Sequence, residues 1–454
     1  MNILLRGTAL KREDTRIIWT IMLPALFELV MSQLFGMVDT IMLGHSAAST
    51  VAIAAVGLTN SPFNLCNGII NAFNIGTTAA VAWAIGAGKK QDARSIARTA
   101  LCFNALIGLL VSTALFSLAR PIIAFMGGEE DTFEYAVEYL RIIAVGMLPL
   151  ALTYAATSSL RGIGRTKLPM LYNLTANFFN VIGNYALIYG RLGFPALGVA
   201  GAGISTTASR YLAFAMAMGV MFFGRHDVRQ TLRGGRLIDT RWLRRIGRVG
   251  GTAAVEQLIM QIGFFMFAKT VAGLGTQLFA AHQIALSVNG LTWMPPQSFG
   301  VAATTLVGQN LGAGKKDRAE GYMRFIHRCS LLFSFGFAVV FLIFIRQIAL
   351  IYTSDMEVVL LSANALRLIA IGMPGIYTQL PIAAGLRGAG DSKFPLIASA
   401  VGIWVFRVFV CRLFVTVWGW GLNGAWLSIV LDQYTRAGVI YTRFRTGKWK
   451  EKRV

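Results

Sequence analysis

Residues 24–44 read PALFELVMSQLFGMVDTIMLG and lie within an apolar segment, expected at 17–43, that is long enough to cross a bilayer. The stretch nevertheless holds Pro24, Glu28, Gln33 and Asp39. A carboxylate at membrane depth costs about 2.5–3.5 kcal/mol on insertion scales, so it faces a cavity or a partner rather than lipid. Eleven residues separate Glu28 from Asp39, about three helical turns, which puts both on nearly one face and roughly 16 Å apart along the axis. Pro24 removes a backbone donor and lets the helix bend. Two readings follow: acids that handle an ion or a cationic ligand, or an ion pair that locks two helices.

The rest of the chain supports a membrane setting. Of 454 residues, 55% are hydrophobic and 14% charged, with a mean hydropathy of +0.60. Soluble domains carry more charge, about 25% of their residues. The fold class expected is an all-α integral membrane protein of twelve transmembrane helices. They fall near 17–43, 51–80, 95–118, 135–157, 168–189, 199–223, 243–271, 279–307, 322–345, 360–383, 396–417 and 422–442. Such long apolar runs exclude a β-barrel, whose strands alternate over about ten residues. The net charge of +22 raises nucleic acid as a partner. Most Lys and Arg fall in loops and tails on one side, however, which puts both termini in the cytoplasm and makes anionic lipid the partner instead. The longest polar stretch, Gly224 to Arg248, carries eight arginines and sits against that lipid. Cys66, Cys102, Cys329 and Cys411 lie inside apolar spans and read as small core residues, neither disulfides nor metal ligands. The basic start precedes an apolar run too long for a signal peptide, so it is expected to stay as the first span.

The halves repeat. Gly86-Ala-Gly-Lys-Lys90 recurs at 312–316, Leu160-Arg-Gly162 at 386–388, and Pro169 as Pro395, all by one constant shift. Ala144–Met147 matches Ala370–Met373 in the same register. Six spans per half make the repeats parallel, with boundaries at 1–226 and 227–454, and imply alternating access. GAGKK lacks the spacing and the Ser or Thr of a phosphate-binding loop, which excludes an ATP-driven pump.

Under the same shift Asp39 corresponds to Phe265 and Val30 to Glu256, so each half has its own acid at a different place. Gln257 and Gln261 accompany Glu256. The fifth span holds Tyr172, Asn173, Asn177, Asn180 and Asn184, and its asparagines ladder along one face. This ladder and Asp39 belong to one half and form either a hydrated pocket or plain interhelical hydrogen bonds, worth about 0.6 kcal/mol each. Asp432 and Arg436 form an i, i+4 pair, Arg407 snorkels or pairs, and His282, beside Gln283, reads as a packing residue or a proton carrier.

Together P-x8-Q-x5-DT-x-M-x-G in the first span, AAHQIAL…MPPQSFGVAATTLVGQNLGAG around the eighth and LRG-x-G-x-x-K in both halves resemble the multidrug and toxic compound extrusion (MATE) family. The resemblance covers all twelve spans. It implies two six-helix lobes in a V, exporting organic, often cationic compounds against inward H+ or Na+. It also implies that Asp39 is the coupling-ion acid assisted by Asn180, Asn184 and Thr206, that Glu256 is the acid of the second lobe, and that Pro24 is the hinge. Glu28, Gln33, Tyr172, Asn173, Asn177, Gln257, Gln261, His282 and Gln283 are candidates for the substrate cavity. Some members carry a further carboxylate where this chain has Asn184, or an acid where it has Ile376, and their lack favours H+ over Na+. The expectation is a monomeric, multi-pass protein of the bacterial cytoplasmic (inner) membrane without cofactor or enzymatic activity. A flippase for a lipid-linked glycan is the alternative.

Overall fold

A computed structural model describes residues 8, 10–45, 49–128, 130–231, 237–353 and 355–452. Arg233 and Arg236 of the arginine-rich loop lie outside the described residues. Among the described residues every regular element is helical: α1 Arg12–Gly44, α2 Ser49–Gly86, α3 Lys90–Ser117, α4 Ala119–Phe125, α5 Glu130–Val145, α6 Met147–Gly162, α7 Lys167–Tyr189, α8 Gly198–Phe223, α9 Thr240–Ala272, α10 Thr276–Thr292, α11 Met294–Gly312, α12 Lys316–Leu350, α13 Met356–Gly388, α14 Lys393–Val401 and α15 Gly421–Arg445. Two π-helical stretches, Gly402–Val410 and Leu413–Val417, follow α14.

Seven of these helical stretches are long and apolar enough to span a membrane, or eight if the pair α5–α6, bent by 41°, is one span. The other expected spans coincide with α7, α8, α10–α11 and α15. They fall short of that composition because they carry the amides, glycines and charges discussed below, or because Pro295 and Pro296 open a new helix in mid-span.

The chain forms two compact units, one of residues 27–254 and one of the chain up to Leu26 together with Val255 onward. These compact units differ from the repeat halves expected at 1–226 and 227–454, because each of their two junctions lies inside a helix. Leu26/Phe27 falls in α1, two residues past Pro24, and Ala254/Val255 falls in α9. Helical hydrogen bonds run through both junctions, so a polar loop is a poor guide to the division.

Each unit has its own core. In the first, Leu43, Ile70, Ile123, Leu140 and Met147 pack together. In the second, Ile18 and Met22 of α1 pack against Phe299, Phe325 and Ile326, while Trp426 and Tyr377 anchor another cluster. The start of α1 is pinned by Asp14, which accepts from Arg318 at 2.5 Å and Tyr322 at 3.0 Å.

Contacts recur at the offset that relates the two GAGKK motifs. Thr78 Oγ1 donates to Ser158 O at 3.2 Å, and Thr304 Oγ1 to Ala384 O at 2.9 Å. A Cβ on Gly162 would lie 3.0 Å from Thr78 O, and one on Gly388 2.5 Å from Thr304 O, so both LRG glycines let helices touch at the backbone. Gly88 and Gly314, inside the two GAGKK turns, both take left-handed φ values, +74° and +73°.

Candidate functional site

The asparagine ladder of α7 faces α1. Asn173 Nδ2 donates to Glu28 Oε1 at 2.7 Å, Asn177 Nδ2 to Ser32 Oγ at 3.2 Å, and Asn184 Nδ2 to Asp39 Oδ1 at 2.7 Å. Each rung joins residues 145 apart, so α1 beyond Phe27 and α7 run parallel and in register. The two helices meet through these side chains rather than by close backbone packing. Tyr189 closes the series by donating to Met42 O at 2.7 Å.

Asp39 is half-buried at the end of this ladder. With its carboxamide nitrogen facing the acid, Asn180 donates to Asp39 Oδ2 at 3.1 Å and Oδ1 at 3.0 Å, while its oxygen accepts from Thr206 N–H at 3.2 Å and Ser205 Oγ at 3.3 Å. Asn180 and Asn184 are buried, and Asn184 Oδ1 has no partner among the described residues. No cationic side chain pairs with Asp39 there. Asp39, Asn180, Asn184 and Thr206 are thus brought together, and Ser205 joins them.

Glu28 differs. It is buried, and Arg161 Nη2 stands 3.0 Å from its Oε2 while Asn173 holds Oε1. Tyr172, next on the same helix, bonds to Thr157 and borders a cavity of about 420 Å³ lined also by Leu168, Leu171, Met216, Val220 and Phe223. Glu256 repeats the Glu28 arrangement. Arg387 Nη2 donates to its Oε1 and Oε2 at 2.8 and 2.7 Å, and Ser399 Oγ to Oε1 at 2.6 Å. Arg387 is the repeat counterpart of Arg161, and Ser399 that of Asn173. The two acids therefore occupy equivalent places after all, two residues out of step in sequence but closing the same pair. Glu28, expected in the substrate cavity, and Glu256, expected as the acid of the second lobe, thus each face a guanidinium group, unlike Asp39.

The remaining candidates stand apart. Gln33, Gln257 and Gln261 are half-buried and make no side-chain hydrogen bond among the described residues, and Gln283 is exposed. His282 is buried on α10 among Phe267, Phe279 and Trp426. Pro24 lies within an unbroken α1. All four cysteines are free, and Asp432 and Arg436 pair as expected. Sequence reasoning missed Arg161, Arg387, Ser399, Ser32 and Ser205. The repeat offset matches Arg161 with Arg387 and Asn173 with Ser399, but it does not say which acid each of them meets.

One family model, MatE, matches this chain twice, over residues 24–186 and 252–413. The chain belongs to the MatE family. Its MatE relatives include a "Probable multidrug resistance protein NorM" of Thermotoga maritima, 33% identical over 95% of this chain and 92% of that protein. The "Multidrug resistance protein PmpM" of Pseudomonas aeruginosa is 30% identical over 94% and 90%. Among solved structures, a MATE protein in complex with MaD3S superposes with a TM-score of 0.89 at 23% identity, covering 98% of this chain and 97% of that one. An outward-facing MATE transporter of the MOP superfamily matches with the same TM-score and coverage. The chain is thus a multi-pass membrane transporter of this family.

Proposed function

We propose that this protein is a secondary active exporter of organic, often cationic compounds, that its twelve spans form two parallel six-helix repeats, and that Asp39 carries the coupling ion, a proton in preference to Na+. The substrate class is supported by relatives named as multidrug resistance proteins. The reading of the site rests on one observation. Of the three membrane acids on α1 and α9, Asp39 alone has no cationic partner among the described residues, whereas Arg161 and Arg387 answer Glu28 and Glu256.

A fixed guanidinium neutralises a carboxylate in every state, but amides do not. Asn180 and Asn184 donate to ionised Asp39; once Asp39 is protonated, the Asn180 carboxamide can turn and present its oxygen to the new O–H. The acid therefore has two hydrogen-bonded states that differ by one charge. Ionised, it attracts an organic cation; protonated from outside, it releases that cation, and access to the inner side then removes the proton. A Na+ ion would find a single carboxylate at this place, which favours the proton. Pro24, two residues before the unit boundary in α1, supplies the bend that changes access. In the bacterial inner membrane, with both termini inside and as a monomer, such a carrier needs no cofactor.

Expression in a pump-deficient bacterium tests this reading. Wild-type protein should lower ethidium accumulation, an uncoupler should abolish the effect, and Asp39→Asn at equal membrane abundance should be inactive. Efflux by the Asp39→Asn variant at the wild-type rate would remove Asp39 from the mechanism.

A further inference from the structure

Within the unit that holds residues 255–454, Asp432 is fully buried on α15, and its Oδ2 accepts from Arg407 Nε at 2.6 Å and Arg436 Nη2 at 2.5 Å. Arg407 comes from the first π-helical stretch, and Phe264 covers its guanidinium at 4.9 Å. π-helical geometry is rare, and where it interrupts an α-helix it frequently marks a functional site. Two groups that stay charged at any working pH, against one carboxylate, leave an uncompensated positive charge in a water-poor interior.

Hydrogen bonding is unbalanced in the same sense. Arg407 Nη2 and Arg436 Nε and Nη1 are buried donors without a partner among the described residues. Asp432 Oδ1 is the unpartnered acceptor beside them. The π stretch crowds that oxygen, because a Cβ on Gly402 would collide with it. His282, which feels the charge of Arg407, also has both ring nitrogens unpartnered. The other buried acids of this unit are engaged elsewhere: Glu256 by Arg387, Asp391 by Arg443 and Asp14 by Arg318. The repeat supplies only part of this cluster: Arg436 corresponds to Arg210 of the first half, whereas the counterparts of Asp432 and Arg407 are Thr206 and Val181. Water would satisfy the idle donors but not the charge.

We propose that Arg407 and Arg436 form a buried site for a small monovalent anion of the halide class, held between their guanidinium groups. The anion restores neutrality and takes up the donors that Asp432 leaves idle. The proposal is independent of the role given to Asp39, which lies in the other unit.

Bromide provides the test. Crystals of the full chain soaked in bromide should give an anomalous peak within hydrogen-bonding distance of Arg407 Nη2 or of Arg436 Nε or Nη1. In detergent, the wild-type protein should melt at least about 2 °C higher in chloride than in gluconate at equal ionic strength. Arg436→Gln should lose that difference, and if it does not fold, the wild-type comparison stands by itself. No peak at the cluster, peaks at the surface only (an adventitious ion only), or a melting temperature indifferent to the anion would each overturn the site.

Discussion

At the scale of single residues, what separates the three membrane acids is their partner. Glu28 and Glu256 sit beside arginines that cannot lose their charge, and Asp39 sits beside amides. The arginine pairs are expected to hold the fold rather than to move ions. Removing one partner of a buried pair leaves an uncompensated charge, so Arg161→Gln should cost about 3–5 kcal/mol. The double variant Glu28→Gln/Arg161→Gln should recover most of that loss in a thermal-unfolding cycle in detergent. Additive single losses would mean that the pair is not coupled. The sequence made all three acids visible, because a carboxylate inside an apolar run stands out by composition alone. It could not reveal their partners, which lie 131 to 145 residues away and depend on helix rotation.

Among elements, the decisive feature is how closely helices approach. A Cβ on Gly76 of α2 would collide with Ile246 O of α9, and one on Gly250 would lie 2.6 Å from Phe73 Cα, so this crossing is made backbone to backbone. Gly76→Ala should therefore destabilise by about 1–3 kcal/mol. Gly57→Ala, on the same helix with nothing within 4 Å, should be neutral or stabilising by about 0.5–1 kcal/mol. Melting curves of the two variants compare them directly, and equal effects would contradict the packing argument. The α1–α7 pair is built the other way, on side-chain rungs that leave Asp39 half-buried instead of sealed. Its asparagines were readable as one helical face, whereas their register on α1 was not. The π stretches were also invisible, since Gly402–Val410 has the composition of an ordinary apolar helix and departs from it where Asp432 and Arg436 crowd Gly402.

For the whole molecule, duplication was the most legible property. The offset read from GAGKK, LRG and Pro169 returns as paired turns, paired threonine bonds and paired arginine locks. The unit boundaries were not legible, because they cut through α1 and α9 where no loop marks them. If the repeats are parallel, the exposed turn residues Lys89 and Lys315 face the cytoplasm together. Single cysteines at these positions, with the native cysteines replaced, should resist a membrane-impermeant maleimide in intact cells and react in inverted vesicles. Labelling of one but not the other in intact cells would refute parallel repeats.

The exchange itself is tested most directly in proteoliposomes holding a pH-sensitive dye, with an H+ gradient imposed in sodium-free buffer and a Na+ gradient imposed separately at equal pH. Adding a cationic substrate to wild-type vesicles should release protons at a rate that rises with substrate, and Asp39→Asn vesicles should stay at the protein-free baseline. Substrate-driven proton flux that survives Asp39→Asn, or transport driven by the Na+ gradient alone, would contradict the account.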